Sequence, residues 1–213
     1  MDLHKVIGLR NLNDSLYVLR MERKGLQFIP GQSISVGLPD DEDRPYSIYS
    51  GSFDPYIEIL VKEIEVGNIS RKLRVLNTGE TVVIGQPYGS FTLEEEIKAK
   101  LPFWLIATGS GISPFHCFTR SYSGIDYILI HGIRHAHETF SNEFESSVKY
   151  ISCSSLDNLG RYTGRVTDYL GKAEIDKRAF YYICGGYQMI DDVYDLLVSK
   201  GINKDQIKTE GYF

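Results

Sequence analysis

The stretch FWLIATGSGISP, residues 103–114, carries the strongest fold signal in the chain. Its apolar run, Phe103 to Ala107, has the composition of a short buried strand and leads directly into a glycine-rich turn. A turn of this kind between a strand and a helix leaves backbone N–H groups free, which suits a pyrophosphate. Pro114 stands where the GxGxxG dinucleotide fingerprint has its third Gly, so the turn departs from that pattern.

The carboxyl-terminal half continues with alternating strand and helix patterns. Further apolar runs at 125–130 and 180–183 predict buried strands. Predicted helices cover residues 114–120, 140–148, 166–170 and 189–199. Strands that alternate with helices indicate a doubly wound parallel sheet.

The amino-terminal half consists of short β-prone runs separated by Gly and Pro. The runs are residues 15–21, 33–38, 46–49, 56–64 and 80–84. Closely spaced strands with turn signals predict a small antiparallel barrel or sandwich. One helix, residues 68–76, interrupts them with apolar residues at helical spacing. The charged stretch 94–102 marks the change of pattern, so we predict two domains, residues 1–98 and residues 102–213.

Composition narrows the possible functions. The chain has 213 residues, of which 42% are hydrophobic, and a net charge of −5, which argues against general nucleic-acid binding. It has no 18-residue apolar run and its amino terminus lacks the layout of a signal peptide, which favours the cytoplasm and predicts no membrane association. The three cysteines include no Cys-x-x-Cys spacing, so redox work would need a bound organic cofactor.

No metal site is predicted. His131, His135 and His137 lie within seven residues, but no cysteine-rich, carboxylate-rich or HExxH context accompanies them. We expect these histidines to be surface or capping residues.

A second candidate loop is RPYS, residues 44–47. It offers a cation, an aromatic face and a hydroxyl within four residues, which suits a phosphorylated, flat ligand. An ordinary strand with an arginine at its edge could have the same four residues. The stretch 67–70, GNIS, begins the predicted helix, where it either attracts an anion or simply caps the helix.

Seven motifs occur in the order seen in one protein family: RPYS (44–47), GNIS (67–70), PYGSF (87–91), ATGSGISP (107–114), YTGR (162–165), CGGYQM (184–189) and EGYF (210–213). In this order they resemble the ferredoxin–NADP reductase family. The closing Glu-x-Tyr-aromatic is most similar to the bacterial ferredoxin or flavodoxin reductases. The resemblance covers nearly the whole chain and implies a two-domain β plus α/β protein, with an antiparallel FAD-binding β-barrel followed by a doubly wound domain for the nicotinamide nucleotide.

The resemblance implies two groups of FAD contacts. Arg44 would contact the pyrophosphate, Tyr46 would flank the isoalloxazine, and Ser47 would lie near flavin N5 as a catalytic residue. The helix start and the strand before it would hold the pyrophosphate and the adenosine through Gly67, Ile69, Ser70, Val61 and Lys62.

The nicotinamide nucleotide is assigned to the second half in the same way. Thr108, Gly109 and Gly111 would form its turn. Cys184 would lie beside nicotinamide C4, with Gly185 and Met189 shaping that wall. The site would be closed by Glu210, Tyr212 and Phe213, the Tyr212 ring covering the flavin face that nicotinamide must occupy. Cys184, Glu210 and Tyr212 complete the predicted catalytic set.

The choice between NADP and NAD depends on where the cations lie. Family members that prefer NADPH commonly carry Ser-Arg after the second parallel strand, and the matching pair here is Ser154-Ser155. Arg134 and Arg165 remain at positions that resemble phosphate-facing ones. Loss of one charge-assisted contact, roughly 1.5 to 3 kcal/mol, reduces a preference without abolishing it. We therefore expect NADP slightly ahead of NAD.

The predicted activity is hydride transfer between NAD(P)H and FAD, with single electrons passed to or from a separate ferredoxin or flavodoxin. We expect a monomer, with the basic run 71–74 as a docking patch or a solvated helix face. One alternative is an NADH-dependent reductase component that serves an oxygenase, a cytochrome or free flavin. Another, from a different class, is a non-catalytic nucleotide-binding regulatory subunit.

Overall fold

The computed structural model describes residues 1–64, 68–144 and 149–212. Two compact units are present: Met1–Thr92 with Ser113–Tyr122, and Leu93–Ile112 with Ser123–Phe213. The predicted boundary at residues 98–102 does not anticipate that Ser113–Tyr122 groups with the first unit.

The first unit is built on six antiparallel strands and two helices. Their bounds are β1 Asp2–Asn11, β2 Leu16–Glu22, β3 Ser33–Gly37, β4 Asp43–Ser47, β5 Tyr56–Lys62, α1 Asn68–Arg74, β6 Thr81–Ile84 and α2 Ser113–Ser121. The strand order is β4-β3-β6-β1-β2-β5. An isolated bridge between Ile48 and Ile59 joins the two edges, and the Tyr49 N–H donates to the Glu58 carbonyl oxygen at 2.8 Å. The sheet therefore closes into a barrel, as predicted.

The barrel interior is filled by alternate residues of these strands. Val6, Tyr17, Ile34, Ile59 and Val82 are among the fully buried members of one apolar cluster. Burial of this kind supplies roughly 1.5 to 3 kcal/mol for each large apolar side chain.

Strand β1 was not among the predicted strands, although it lies between β6 and β2. The reason is that its outward face also carries apolar residues: Leu3 is 55% exposed and Ile7 is 41% exposed. His4, by contrast, is buried, and its Nδ1 lies 2.7 Å from the Glu22 carbonyl oxygen. The hydrophobic alternation that identifies a half-buried strand is therefore missing.

The second unit contains a six-stranded parallel sheet. Its elements are β7 Phe103–Thr108, β8 Tyr127–Ile133, β9 Lys149–Ser154, β10 Tyr162–Thr163, α3 Val166–Lys172, β11 Phe180–Gly186, α4 Tyr187–Ser199 and β12 Ile207–Tyr212. The strand order is β10-β9-β8-β7-β11-β12. Successive strands run outward from β7 in one direction and then, from β11, in the other. The predicted fold class, antiparallel barrel plus doubly wound parallel sheet, is confirmed.

One predicted helix is wrong, and three strands were missed: β9, β12 and the two-residue β10. Over 140–148, the described residues form only a short 3₁₀ turn, Ser141–Glu143, with extended backbone at Phe144; residues 145–148 lie outside the described part. Strands β9 and β12 are rich in polar residues, KYISCS and IKTEGY, and so lack an apolar run. Both form because a parallel neighbour supplies their backbone hydrogen bonds.

Candidate functional site

The predicted flavin loop lies on β4. Arg44 is exposed and its guanidinium pairs with the Glu42 carboxylate at 2.6 Å. Because both side chains are more than half exposed, this pair contributes little stability and exchanges readily for another anion. Tyr46 is half-buried, and burial raises the pKa of its phenol to about 12, so it stays protonated. The strand thus presents a cation and a flat neutral ring on one face.

Ser47, the next residue, is buried on the other side of the strand, where its hydroxyl lies 3.3 Å from that of Ser33. Helix α2 holds this part of the strand. The Ser113 hydroxyl donates to the Ser47 carbonyl oxygen at 3.0 Å. The His116 ring stacks on Tyr49 with centroids 3.7 Å apart, and its Nδ1 lies 2.7 Å from the Tyr49 carbonyl oxygen. No motif in the sequence pointed to Ser113 or His116 as supports of the flavin strand.

The start of α1 adjoins the same strand. The Tyr17 hydroxyl donates to the Ser70 carbonyl oxygen at 2.5 Å, and the nearby phenol of Tyr46 contributes to raising the pKa of Tyr17, after burial. The ammonium of Lys72 pairs with the carboxylate of Asp41, which lies in the turn before β4. These contacts bring the Arg44 and Ser70 segments together within the first unit.

The other predicted FAD contacts differ in what they offer. The side chains of Val61 and Ile69 belong to the barrel core, which leaves only their backbone for a ligand. Lys62 is exposed. Gly67 lies outside the described residues. The guanidinium of Arg44 can donate to a pyrophosphate once it leaves Glu42, and the half-buried phenol of Tyr46 can lie against a flat ring. These groups therefore fit a pyrophosphate attached to a flat ring.

In the second unit, the candidate site lies at the carboxyl ends of β7 and β11. These neighbouring strands are where the strand order reverses, and ligands of open α/β sheets bind at such a switch point. The turn Thr108–Ile112, here called the switch-point turn, follows β7 and includes the one-turn 3₁₀ helix Gly109–Ile112. Cys184 and Gly185 lie close to the carboxyl end of β11, where Cys184 pairs with Ala107 of β7.

The switch-point turn and β11 approach each other so closely that two positions of the site require glycine. A Cβ on Gly111 would lie 2.2 Å from the Cys184 carbonyl oxygen, and one on Gly185 would lie 2.3 Å from the Thr108 hydroxyl and 2.9 Å from the Met189 methyl carbon. Gly109 has φ +53°, a left-handed conformation that glycine adopts without strain. The structure therefore brings Thr108, Gly109, Gly111, Cys184, Gly185 and Met189 together. Their bare backbone fits the diphosphate of a nucleotide.

His131 supports this turn from inside the sheet. It is fully buried on β8, with Nε2 at 2.9 Å from the Gly109 carbonyl oxygen and Nδ1 at 2.9 Å from the Tyr150 hydroxyl. The expectation that it is a surface or capping residue is wrong. The sequence signal was its place inside an apolar run, which predicts burial.

Cys184, Glu210 and Tyr212 also lie together. Strand β12 pairs with β11 so that Cys184 faces Glu210 in register, and the Cys184 Sγ lies 4.0 Å from a Glu210 carboxylate oxygen. Burial, and then the Glu210 charge, raise the pKa of the Cys184 thiol, while a hydrogen bond with Tyr212 acts in the opposite direction. Cys184 is therefore a neutral thiol and not a thiolate nucleophile. Phe213 lies outside the described residues.

The cations predicted near a 2′-phosphate lie at the same edge of the sheet. Arg134 follows β8, Arg165 follows β10, and both side chains are exposed. Ser154 is fully buried, and its hydroxyl donates to the Asp157 carbonyl oxygen at 2.9 Å, so it shapes the loop rather than the surface. Ser155 is exposed beside it.

The basic run 71–74 on α1 has less uncompensated positive charge than the sequence alone indicates. Arg71 and Arg74 both pair with Glu63, and Lys72 pairs with Asp41. This run therefore has much of its charge compensated.

Neither a cluster of metal-ligating side chains nor a membrane-spanning helix is found in the described ranges, 1–64, 68–144 and 149–212. Within them, no group of three or more His, Cys, Asp or Glu side chains lies close enough to hold a metal ion. No helix there is both long enough and apolar enough to span a bilayer.

Comparison with known proteins gives a family model and several relatives. Residues 10–93 match the family model described as the oxidoreductase FAD-binding domain. The flavodoxin/ferredoxin–NADP reductase of Rhodobacter capsulatus is 25% identical over 240 residues, covering 95% of this chain and 87% of the relative. The reductase component of a propane 2-monooxygenase from Rhodococcus jostii is 28% identical over 215 residues, covering 91% of this chain and 58% of the relative.

A solved structure shares the whole fold. The ferredoxin NADP+ reductase of Neisseria gonorrhoeae, solved with bound FAD and NADP, superposes with a TM-score of 0.84 at 19% identity, covering 100% of this chain and 98% of that one. At 19% identity, this structural similarity supports the fold alone. The matched FAD-binding domain and the reductases that align along almost the full chain lead to one conclusion: the chain is an FAD-dependent oxidoreductase that is similar over almost its whole length to ferredoxin–NADP reductases.

Proposed function

We propose that this enzyme transfers hydride between NADP(H) and FAD and passes single electrons to or from a ferredoxin or flavodoxin. The observation that carries the proposal is the site at the carboxyl ends of β7 and β11, where Gly111 and Gly185 let the switch-point turn and β11 approach closely at the point where the strand order reverses. It occurs in a chain whose residues 10–93 match an FAD-binding domain. When bound, the flavin and the nicotinamide supply the redox chemistry.

In the first unit, the protein's work is binding and orientation. Arg44 would hold the FAD pyrophosphate in place of its contact with Glu42. Tyr46 flanks the ring system as a neutral phenol. Ser47 would supply a hydroxyl to the flavin, and the hydrogen bond from Ser113 to its carbonyl oxygen fixes its backbone.

In the second unit, Cys184 acts through shape and position. A buried neutral thiol beside nicotinamide C4 sets the position of the ring without reacting with it. Gly185 and Met189 form the adjoining wall. Glu210 and Tyr212 close the site at the carboxyl end of β12.

Arg134 and Arg165 are the proposed contacts for a 2′-phosphate, which keeps NADP ahead of NAD. Both are exposed at the edge of the sheet where the nucleotide turn lies. A guanidinium binds a phosphate through charge-assisted, often bidentate hydrogen bonds.

A second candidate is an NADH-dependent reductase component for an oxygenase, a cytochrome or free flavin. Ser155, where NADPH-preferring family members carry Arg, favours it. So does the similarity to the Rhodococcus propane monooxygenase reductase. The two candidates differ in the ratio of reduction rates with NADPH and NADH.

We further propose that the protein is a cytoplasmic monomer. Its protein partner would bind without the help of a strong basic patch at α1. The carboxylates of Glu63 and Asp41 already compensate the cations of that helix. Association should therefore depend only weakly on salt at this surface.

Absorbance of the purified protein tests the central proposal. We expect oxidised-flavin bands, about one FAD per chain, and rapid bleaching when NADPH is mixed in a stopped-flow instrument. Faster bleaching by NADH would favour the second candidate. A flavin that neither nucleotide reduces would contradict both.

The FAD assignment has its own matched pair of variants. Arg44→Ala should release FAD on dialysis, because it removes the proposed pyrophosphate cation. Arg178→Ala is the control, since Arg178 is also exposed and paired with a nearby carboxylate, Asp176, but lies in the second unit. Equal flavin retention by the two variants would remove Arg44 from the site.

A further inference from the structure

His131 is the centre of a hydrogen-bond chain that ends on the switch-point turn. It lies on β8 between Ala107 of β7 and Ser152 of β9, and its side chain is fully buried. A buried polar ring is unfavourable unless its nitrogens find partners. Both nitrogens do, in the Gly109 carbonyl oxygen and the Tyr150 hydroxyl, each at 2.9 Å.

The partners determine the tautomer of the ring. A carbonyl oxygen only accepts, so Nε2 carries the hydrogen that it donates to Gly109. Burial lowers the pKa of His131 to about 4, so the ring is neutral and Nδ1 must be an acceptor. The Tyr150 hydroxyl therefore donates to Nδ1.

The hydrogen-bond chain begins at the backbone of Phe140, in the segment before β9. The Phe140 N–H donates to the Tyr150 oxygen at 3.1 Å, and the Thr139 hydroxyl lies 3.4 Å from the same oxygen. Since these groups donate to Tyr150, its own hydrogen is left for His131. Every bond then runs in one direction, from Phe140 through Tyr150 and His131 to Gly109.

The last bond determines the orientation of a peptide group. A trans peptide is planar, and its N–H points opposite to its C=O. Because the Gly109 C=O points at His131, the N–H of Ser110 points away from the interior of the sheet. Gly109, with φ +53°, would otherwise be free to reorient this peptide.

We propose that His131 is a positioning residue for nucleotide binding: its Nε2–H holds the Gly109 carbonyl so that the Ser110 N–H faces a dinucleotide diphosphate, and Tyr150 keeps the ring in the required tautomer. The inference rests on the proposed function, because that function supplies the nucleotide. It gives a positioning role to His131 and Tyr150, which are not proposed to contact the cofactor or the reacting atoms.

The test compares four variants of the FAD-loaded protein by calorimetric titration with NADP+ and by steady-state kinetics. His131→Leu should raise the Kd and the KM about tenfold, the equivalent of one hydrogen bond, with kcat within about twofold. Tyr150→Phe should act in the same direction by about threefold. His131→Gln, whose amide can still donate to Gly109, should recover most of the affinity.

Tyr181→Phe is the matched control. Tyr181 is a buried tyrosine of the same sheet whose hydroxyl donates to the Asp176 carbonyl oxygen at 2.7 Å, near the amino end of β11. Its loss should lower stability and leave NADP+ affinity unchanged. Should His131→Leu fail to fold, Tyr150→Phe and the ¹⁵N NMR shifts of the wild-type ring decide the question.

The outcomes separate cleanly. Unchanged affinity in His131→Leu or Tyr150→Phe, an equal loss in Tyr181→Phe, or an Nδ1–H tautomer in the wild type would each overturn the inference alone. Wild-type protein that binds neither NADP+ nor NAD+ would overturn the inference together with the proposed function.

Discussion

At the scale of single residues, the burial of Cys184 decides what it can contribute. Its thiol is neutral and shielded, so its role in the proposed site is to position the nicotinamide. Cys184→Ala should slow flavin reduction by roughly 10 to 100-fold, because small misplacements of reacting atoms are costly in rate. Stopped-flow reduction per folded molecule measures this.

Cys153→Ala is the control for that variant. Cys153 is also a fully buried thiol of the second unit, on β9, and belongs to its apolar cluster. Both variants should lose similar stability. If Cys184→Ala reduces at the normal rate while its melting temperature falls, Cys184 is only a core residue.

Tyr212 is predicted to compete with nicotinamide. It pairs in register with Gly186, and a hydrogen bond joins it to the Cys184 thiol. Tyr212→Ser should tighten nucleotide binding roughly threefold to tenfold, the equivalent of the stacking that is lost, and reduce the preference for NADPH over NADH. Equilibrium titrations with both nucleotides measure this.

Tyr212→Phe separates the ring from its hydroxyl. It keeps the aromatic face and should therefore bind nucleotide like the wild type. Unchanged affinity and unchanged preference in Tyr212→Ser would show that the terminal aromatic does not gate the site.

His131 predicts a dependence of stability on pH. Burial lowers its pKa from 6.5 to about 4 in the folded chain, against weaker opposing effects of the Gly109 carbonyl and the Glu138 charge. The unfolded chain then takes up a proton near pH 6.5 and the folded chain does not. Stability is therefore lost as pH falls from about 6.5 towards 4, by up to about 3 kcal/mol.

Urea unfolding at pH 7 and pH 4.5 measures that loss. His131→Gln has no titrating ring at this position, so its stability should fall less than that of the wild type over the same interval. Parallel losses in the two proteins would mean that another group dominates.

At the scale of elements, the approach of the switch-point turn to β11 is the critical contact. Gly111→Ala places a methyl group 2.2 Å from the backbone oxygen of Cys184, which neither strand can move easily to relieve. We expect a loss of roughly 1 to 3 kcal/mol in the free energy of unfolding, together with weaker nucleotide binding.

Gly171→Ala is the matched control within the same unit. Gly171 lies in α3, and a Cβ there would meet nothing within 4 Å. Replacing an unhindered helical glycine should raise stability by about 0.5 to 1 kcal/mol and leave nucleotide binding unchanged. Equal stability in Gly111→Ala and the wild type would contradict the close approach.

At the scale of the whole molecule, the chain passes from the first unit into the second and returns for α2. Phe115, Cys117 and Phe118 of this helix are fully buried, and Phe115 and Phe118 pack on Phe91 with centroids 6.1 Å apart. A fragment ending at residue 98, the predicted domain boundary, would lack α2 and expose Phe91 and Tyr49.

We therefore predict that fragment 1–98 binds the dye ANS and lacks a cooperative thermal transition. A fragment of residues 1–122 restores α2 and should melt more cooperatively. Near-ultraviolet circular dichroism and differential scanning calorimetry compare the two. A cooperative fragment 1–98 would show that α2 is dispensable to the barrel.

Much of the fold followed from local patterns. The apolar runs of β7, β8 and β11 identify buried parallel strands, and short β-prone runs between Gly and Pro indicate an antiparallel barrel. Strands β1, β9 and β12 escaped prediction because their polar and apolar residues do not alternate or cluster, and β10 because it has only two residues. Each is held by hydrogen bonds to strands that are distant in sequence or by a parallel neighbour.

The sequence by itself determined the two-part architecture, the glycine-rich turn and the resemblance to ferredoxin–NADP reductases, because these depend on residue order and short-range spacing. Only the tertiary structure decided that His131 lies beneath Gly109, that α2 belongs with the barrel, and that α1 has its charges compensated. The physical reason is that burial and pairing depend on which distant segments meet. His131 and Gly109 are 22 residues apart, and Ser113 and Ser47 are 66 residues apart. No local pattern encodes such contacts, since they form only when the strands that carry them come into register.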